Sequence, residues 1–518
     1  MADLAGASVP QRQREADLNQ DPERNPAADR TDGILVLALA YLALPNLIFV
    51  FGWFLLPVAL VLCAAMLHFL FKAVGPKPIS WDAGYSRQAV LLILATSLAW
   101  AAFGGGSHFV YANPDWVVRD AVLGDLVFAE WPLNYVTAEG VNLILRSAIG
   151  YFLPPALFGK LFGVAHLDLA IYLWTAAGVM IFLLLLPLPG QAGWRLASGL
   201  LLVVFFSGMD FVGQVISTES LPEFPQRLEW WVPLSYPSLT GQLLWAPNHC
   251  LPIWIGAALI LRHWNTRELP SLSVALLPLT LIWTPFAAIG LTPFALLGTL
   301  ASARKSGWRG MPWGSLGSAA IFCFPISVFL LLDLGGIDSR FANTPTDGPV
   351  NYPLQEATLR AYFLFVTCEF LFLALVLAPH VRKLRGAFAV AVLLLLVLPM
   401  IRFGPSNDVV LRLCAPPLVV LLVVCLQTLL AQTRSLFRSS LWIAGLFLVI
   451  GGHTAFNEFW RAASYRRWPA DYQVTLADRQ DGRPATHYAG RLGSSPISLL
   501  LRPLPEPRRS VSARPSGT

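Results

Sequence analysis

Apolar runs long enough to form membrane-spanning helices alternate with short polar segments along most of the chain. A helix needs about 20 apolar residues to cross a bilayer, and residues 33–71 are long enough for two helices. Their run is interrupted near Pro45 and Asn46, which predicts a tight hairpin there. A third helix is predicted over residues 89–103. Later runs predict ten more crossings, two of them within one proline-broken run: 167–188, 196–215, 243–261, 271–300, 315–332, 361–377, 387–401, 413–430 and 441–456.

This pattern predicts an all-α polytopic membrane protein with about thirteen transmembrane helices. Lys or Arg occurs in each loop predicted on one side of the membrane, for example Lys72, Arg262 and Lys305, whereas Asp and Glu cluster on the other side. The positive-inside rule then places the N-terminus in the cytoplasm and the C-terminus outside. The tail, residues 458–518, is Arg-rich yet falls outside, in the periplasm. Its length weakens the rule, and a miscounted span would explain it equally well.

Composition also favours a membrane protein. Hydrophobic residues make up 56% and charged residues 13% of the 518 residues, against about 45–50% and about 25% in soluble domains. The net charge of +6 follows the placement of Arg and Lys and predicts no nucleic-acid partner. The six cysteines form no CxxC motif and are interpreted as buried apolar side chains. Residues 1–32 are polar, show no cleavable signal and predict a disordered cytoplasmic N-terminus before a transmembrane domain at 33–457.

The first outer loop, residues 104–164, is the most polar part of this domain. Asp115, Arg119, Asp120, Asp125 and Glu130 fall within sixteen residues of it. Its second half, residues 141–164, is apolar but is broken by two prolines and carries two basic residues. We therefore expect interfacial helices there rather than a further span.

Asp115 is the preferred candidate for chemistry in this loop. It follows Asn113 and Pro114, which can cap and start a helix, and capping alone would explain it. At a membrane surface its carboxylate could also act as a general base. On a helix it would share a face with Arg119, four residues on. Asp120 and Asp125 are rival candidates for the base. If a divalent cation is bound, Asp115 and Asp125 are its predicted ligands.

Polar residues in later outer segments predict the rest of the site. His249 lies at the start of an apolar run, where an imidazole is either a functional group or closes the helix start by a hydrogen bond. Asp408 and Arg412 begin another helix, where arginine and backbone N–H groups suit a phosphate, although interfacial anchoring is the alternative. Glu219 and Trp131 are predicted to line the substrate cavity.

The order of these features resembles the GT-C class of polyprenyl-phosphate-dependent membrane glycosyltransferases. The resemblance lies in the acidic first loop, the segment LPPALFGKLFGVAHLDLA at residues 153–170, and the many later spans. It departs from that class in lacking adjacent acids in the loop and a large folded C-terminal outer domain.

The resemblance implies an enzyme that takes a sugar from a polyprenyl-phosphate donor. It passes the sugar to a hydroxyl of a glycan, lipid or protein acceptor, with inversion, at the outer face of a bacterial cytoplasmic membrane. An outer-loop Asp would be the base, and Arg119 or Arg412 would hold the phosphate. The residues leave open two alternatives: a transporter or flippase for a lipid-linked or anionic solute, and a polysaccharide polymerase or ligase.

Overall fold

The computed structural model is mostly helical and describes most of the chain. Of residues 1–32, predicted to be disordered, it describes only 30–32, where Thr31–Asp32 form a short strand; of the tail, also predicted to be partly disordered, residues 509–518 lie outside the residues it describes. The described residues are 30–82, 84–137, 140–188, 190–232, 234–333, 339–341, 359–403, 407–430, 440–480, 488–493 and 495–508.

Seven helices in this part of the chain are long and apolar enough to cross a membrane, as a multi-pass membrane protein requires. Four apolar helices are shorter, with 10–17 residues. The seven spans are Gly33–Trp53, Leu56–Val74, Val164–Leu185, Pro285–Lys305, Trp313–Leu330, Leu359–His380 and Val409–Leu430.

The helices in the first half of the chain include both long and short elements. They are α1 (Gly33–Trp53), α2 (Leu56–Val74), α3 (Arg87–Ala102), α4 (Asp115–Phe128), α5 (Leu153–Phe162), α6 (Leu167–Leu185), α7 (Gly193–Val204), α8 (Asp210–Thr218), α9 (Leu239–Trp245) and α10 (Pro247–Arg262).

The second half continues the bundle. Its helices are α11 (Leu269–Thr280), α12 (Pro285–Ser306), α13 (Trp313–Leu330), α14 (Leu359–Val366), α15 (Phe372–Leu377), α16 (Arg385–Val397), α17 (Asp408–Leu413), α18 (Ala415–Leu430), α19 (Leu441–Ser464) and α20 (Leu476–Arg479), with a π-helical turn (Thr367–Leu371) joining α14 to α15.

The predicted hairpin turn at Pro45 and Asn46 is wrong. Helix α1 continues through Pro45 and ends at Trp53, and α2 begins two residues after Phe54. The Asn46 Nδ2 group donates to the carbonyl oxygens of Leu42 and Leu279, at 2.9 and 2.8 Å, so both of its N–H donors have partners inside the bundle. The chain turns where Pro57 can occupy the first turn of the next helix.

Two predicted spans are divided in the structure. The run at 196–215 forms α7 and α8, which are separated around Gly208. The run at 243–261 is divided between the end of α9, at Trp245, and α10, which begins at Pro247. Pro247 starts α10 because a proline is tolerated in the first helical turn but lacks the N–H that would continue α9. The proline-broken run at 271–300 forms two helices, α11 and α12, as predicted.

The first loop and the C-terminal tail lie at the same end of the bundle, here called the loop end. Short strands pair as β1 (Thr31–Asp32) with β2 (Ile79–Ser80), β3 (Asn134–Val136) with β4 (Asn142–Leu145), and β5 (Ser339–Phe341) with β6 (Ile401–Phe403). Strand β4 also pairs with β7 (Ala489–Arg491) of the tail. Farther along, the Arg502 amide donates to the Trp53 carbonyl at 2.8 Å, at the turn between α1 and α2. The opposite end carries the Arg262–Asp32 ion pair, with 2.7 Å between Nη2 and Oδ2.

The segment 141–164, predicted to be helical throughout, begins as a strand and becomes helical only in α5. Helix α5 has ten residues, too few to cross a bilayer. Phe158, Leu161 and Phe162 are exposed on it, as an interfacial helix would require. The strand depends on β7, about 345 residues away, so the local pattern could not reveal it.

Gly124→Ala is expected to displace the tail from α4. A Cβ atom at Gly124 would lie 2.1 Å from the backbone oxygen of Tyr472, so one backbone segment must move. Overpacking of this kind costs about 1–3 kcal/mol. Limited proteolysis should then cleave the tail faster than in wild type. Gly317→Ala is the control, because nothing lies within 4 Å of its added Cβ; equal cleavage of all three proteins would contradict the prediction.

Candidate functional site at the loop end

Asp115 occupies the first turn of α4, two residues after Asn113, which lines a cleft. Its backbone N–H donates to Asn113 Oδ1 at 3.1 Å, so the local capping predicted for this motif is present. Its side chain is 51% exposed and lies 3.1 Å from Nη2 of the buried Arg119 guanidinium. The pair spaced by four residues therefore forms. It leaves one carboxylate both oriented and accessible.

Side chains before and within α4 bind the end of α9. Asn113 and Trp116 donate to the Leu244 carbonyl at 2.8 and 3.2 Å, and Arg119 donates to the Trp245 carbonyl. Carbonyl groups at the end of a helix have no partner within the helix. The first loop satisfies them and so fixes Asp115 beside the break between α9 and α10.

The Trp245 indole is the centre of a charged cluster. Its Nε1–H donates to Glu458 Oε2 at 2.9 Å, and the other oxygen of Glu458 accepts from Arg461 Nη1 at 2.7 Å. The Arg227 guanidinium lies 3.9 Å from the centre of the indole ring, a cation–π distance. Arg227 is exposed and, within the described chain, makes no ion pair.

The cleft beside this cluster is small: its cavity volume is about 20 Å³, within about 260 Å³ of empty space that includes open solvent at its mouth. Its polar lining comes from three segments that are far apart in sequence. These are the first loop, the end of α9 and the last turns of α19, represented by Tyr111, Asn113, Trp245, Glu458 and Arg461. A small polar group can therefore contact all three segments at once.

The electrostatic balance of the cluster is positive. Three guanidinium groups, those of Arg119, Arg227 and Arg461, lie around Trp245 with the carboxylates of Asp115 and Glu458. The nearby Glu229 adds little negative charge at neutral pH. Burial, reinforced by the charges of Glu458 and Asp210, raises the pKa of Glu229 to about 8 against the opposing effect of Arg227. The cluster is therefore suited to an anion such as phosphate.

His249 lies behind this cluster. Its Nδ1 is 2.8 Å from Thr284 Oγ1, and the positive charges of Arg412 and Arg119 both act on its ring. Three of the predicted phosphate ligands are thus brought near one another. The fourth predicted phosphate ligand is Asp408, the first residue of α17. Its side chain lies outside the described part of the structure.

Asp120 forms a buried pair with His108 rather than facing the cleft. His108 Nε2 lies 3.0 Å from Asp120 Oδ2, and His108 Nδ1 lies 3.1 Å from the Trp468 carbonyl of the tail. Burial would lower the pKa of His108, but the hydrogen bond and charge of Asp120 outweigh it and raise that pKa. Burial raises the pKa of Asp120, and His108 offsets part of the rise. The pair joins α4 to the tail.

Asp125 is fully buried and binds three other segments. It accepts from Tyr135 Oη at 2.9 Å, the Leu476 N–H at 2.8 Å and Arg508 Nε at 3.1 Å. Burial raises its pKa to about 6, although these three donors act to lower it. No carboxylate oxygen is left for a substrate in this arrangement.

The predicted cation ligands Asp115 and Asp125 lie near opposite ends of α4. Ten residues of helix separate them by about 15 Å, too far for one cation between them. Among the residues that the structure describes, no group of three or more His, Cys, Asp or Glu side chains could hold a metal ion.

The two predicted cavity residues lie away from the cleft. Glu219 is exposed just after α8, and Trp131 packs on Trp53, with 5.3 Å between ring centres, while its Nε1 donates to the Leu126 carbonyl. Neither is among the residues that line the cleft.

Sequence reasoning missed Arg227, Glu458 and Arg461. Glu458 and Arg461 lie three residues apart and directly follow an apolar run. Charged residues at membrane depth are rare, so this spacing could have indicated a functional site. The last predicted span stopped at Phe456, which placed both in a polar tail instead.

No known protein family, curated protein or solved structure shows significant similarity to this chain, so its site is interpreted from its own residues.

Proposed function

We propose that this protein is a GT-C-like membrane glycosyltransferase that uses a polyprenyl-phosphate sugar as donor. The cleft at the loop end supports this proposal. Trp245, Glu458 and Arg461 line it, and the other two guanidinium groups of the cluster, with the accessible carboxylate of Asp115 paired to Arg119, lie beside it. Arginine suits phosphate because its planar donors bind two oxygens at once. A phosphate group and the hydroxyl to be activated can then lie side by side.

The proposed reaction needs one base and one anion site. Asp115 accepts the proton of the acceptor hydroxyl while its oxygen attacks the anomeric carbon. The bond between that carbon and the phosphate oxygen breaks with inversion, and the polyprenyl phosphate leaves as an anion stabilised by the arginine cluster. Asp120 and Asp125 are less suited to the same task because both are buried and paired.

The proposed membrane arrangement follows from the same features. A set of thirteen would be completed by α3, α7, α10, α11, α16 and α19, of which α7 and α11 have only 12 residues each and would need the adjoining segments to complete a crossing. The basic end would face the cytoplasm and the loop end the outer side of a bacterial cytoplasmic membrane. A lipid-linked donor would reach the cleft from the outer leaflet, and the acceptor would be a glycan, lipid or protein.

The proposal is tested on purified protein in proteoliposomes that contain a radiolabelled polyprenyl-phosphate hexose or pentose. We expect labelled sugar to be transferred to a glycan or glycolipid acceptor, with polyprenyl phosphate released in equal amount. A sugar nucleotide should not replace the lipid donor. Movement of the intact donor between leaflets without release of polyprenyl phosphate would instead identify a flippase and overturn the proposal.

Arg461→Gln is expected to lower kcat/KM for the donor about 10- to 100-fold, as for loss of a hydrogen bond to a charged group. The loss should lie mainly in KM, because the guanidinium is proposed to bind phosphate before and during transfer. Arg466→Gln is the matched control, since Arg466 is an exposed arginine five residues later. Unchanged donor kinetics in Arg461→Gln would remove this residue from the anion site.

A further inference from the structure

Two acidic side chains meet inside the loop end, away from the cleft. Asp210 begins α8, and Glu369 lies in the π-helical turn between α14 and α15. They are 0% and 3% exposed. A buried carboxylate without compensation is costly, so such a pair must gain a proton or a positive partner.

Only one oxygen of each carboxyl group accepts a hydrogen bond from the surrounding donors. Asp210 Oδ2 accepts from Ser207 Oγ at 3.2 Å and from Thr454 Oγ1 at 2.8 Å. Glu369 Oε1 accepts from Trp231 Nε1 at 3.2 Å. Asp210 Oδ1 and Glu369 Oε2 are buried and have no other hydrogen-bond donor among the residues described. The two carboxyl groups lie within hydrogen-bonding range of each other.

The backbone is shaped to bring these groups together. Gly208 permits the contact, because a Cβ atom there would lie 2.3 Å from Glu369 Oε2. The Met209 N–H donates to the Cys368 carbonyl at 3.0 Å and so fixes the break between α7 and α8 against the π-helical turn. Gly451 lets α19 approach the same break, since its Cβ would lie 2.6 Å from the Ser207 oxygen.

No lysine, arginine or histidine in the described chain forms an ion pair with either acid. The titratable groups that face the pair from neighbouring elements are acidic or weakly acidic: Glu229, Tyr236, Cys368 and Cys414. His453, beside Thr454 on α19, is exposed. Two negative charges at this place would repel each other, and no ion pair in the described chain would offset them.

We propose that Asp210 and Glu369 share one proton, carried by Glu369 Oε2 and donated to Asp210 Oδ1, and that this protonated pair positions the cleft residues of α19. The link to the cleft is Thr454, whose hydroxyl binds Asp210. Thr454, Glu458 and Arg461 are spaced by four and three residues and so share one face of the helix. The pair is a positioning device, because neither acid is among the residues that line the cleft.

The sign of the pH dependence follows from the proton. Burial raises the pKa of Asp210, so the folded pair keeps a proton at a pH where both acids of the unfolded chain are ionised. The contribution of this pair to the free energy of unfolding is therefore greatest at low pH. It falls as pH rises, until the folded pair has lost its proton. Above that point two like charges remain buried together.

Infrared difference spectroscopy and thermal unfolding of the full-length protein in detergent test the proposal. Wild type should show carboxylic-acid carbonyl absorption at neutral pH that shifts in D₂O. Protonated Glu229 also absorbs there, so the carbonyl band of the pair is the component that is lost in Glu369→Gln. A glutamine amide can donate to Asp210 Oδ1 as the protonated acid does. At about pH 6, Glu369→Gln should therefore unfold at the same temperature as wild type. Between about pH 6 and about pH 9, its thermal unfolding midpoint should fall less than that of wild type.

Glu369→Ala and Glu223→Gln are the comparison variants. The alanine variant removes the donor and should unfold at a lower temperature at every pH, whereas Glu223 is exposed and its variant should match wild type. A cation between the same oxygens is the competing explanation. Absence of the carbonyl band, together with an unfolding midpoint that rises with added Na⁺, Ca²⁺ or Mn²⁺ in wild type but not in Glu369→Gln, would overturn the shared proton. An undiminished pH dependence in Glu369→Gln would overturn it as well.

These readouts are independent of the proposed sugar transfer. Loss of the infrared band identifies the proton whether or not the protein turns over a lipid-linked sugar. If transfer occurs, its pH profile in Glu369→Gln should be flatter than in wild type on the alkaline side, as expected when the pair acts through α19.

Discussion

Asp115→Asn is expected to lower the rate of sugar transfer by about 10²- to 10⁴-fold, the usual contribution of a general base. The asparagine side chain keeps the size of aspartate but cannot take up the proton of an acceptor hydroxyl. The N–H of residue 115 still reaches Asn113, so the start of α4 should be preserved. Rates in proteoliposomes and the thermal unfolding midpoint, measured on the same preparation, check both expectations.

Because Asp115 is exposed, the same substitution distinguishes a catalytic role from a structural role at the start of α4. A carboxylate that served only the helix start would be replaced by asparagine with a small loss of stability and no loss of rate. Glu223→Gln is the matched control, because it removes an exposed carboxylate from the same end of the bundle. Full activity in Asp115→Asn would exclude this residue as the base, and a strong loss in both variants would indicate an effect of surface charge.

The apolar pattern predicted the helical bundle well because span length depends on local composition. It placed the ends of α13 within two residues of those observed, and it separated α11 from α12 at the prolines. It misplaced the turn after α1 because Pro45 is accommodated inside a helix where Asn46 finds partners. The satisfaction of a buried amide by a residue 233 positions away is a tertiary effect that no local pattern contains.

The candidate site was predictable only in part for the same reason. Asp115 and Arg119 lie one helical turn apart, so their pairing follows from spacing alone. Glu458 and Arg461 reach the cleft only because α19 packs beside α9, more than 200 residues earlier in the chain. The partner of Asp120 is a histidine twelve residues earlier, across a loop with no regular period. The three acids of α4 differ in burial because the folded tail contacts the His108–Asp120 pair and Asp125.

Asp125→Ala is expected to release the C-terminal tail from the loop end. Its carboxylate binds the start of α20 through the Leu476 N–H and the end of the tail through Arg508. Arg508 Nε lies 3.1 Å from Asp125 Oδ1, and the Asp125 side chain has no exposed surface. Removing one partner of a buried pair costs about 3–5 kcal/mol, because the other charge is left uncompensated. Hydrogen exchange should therefore accelerate in the tail and in β4, to which the tail strand is paired.

Asp471→Asn and Arg508→Ala make the test specific. Asp471 is an exposed aspartate of the same tail, so its variant should exchange like wild type. Arg508→Ala removes the other partner of the same ion pair, so the effects of Asp125→Ala and Arg508→Ala should not add in the double variant. Additive effects would mean that the ion pair does not join the two segments. If the pair does join them, Asp125 acts on the cleft only by fixing α4, which leaves Asp115 as the acid free to meet a substrate.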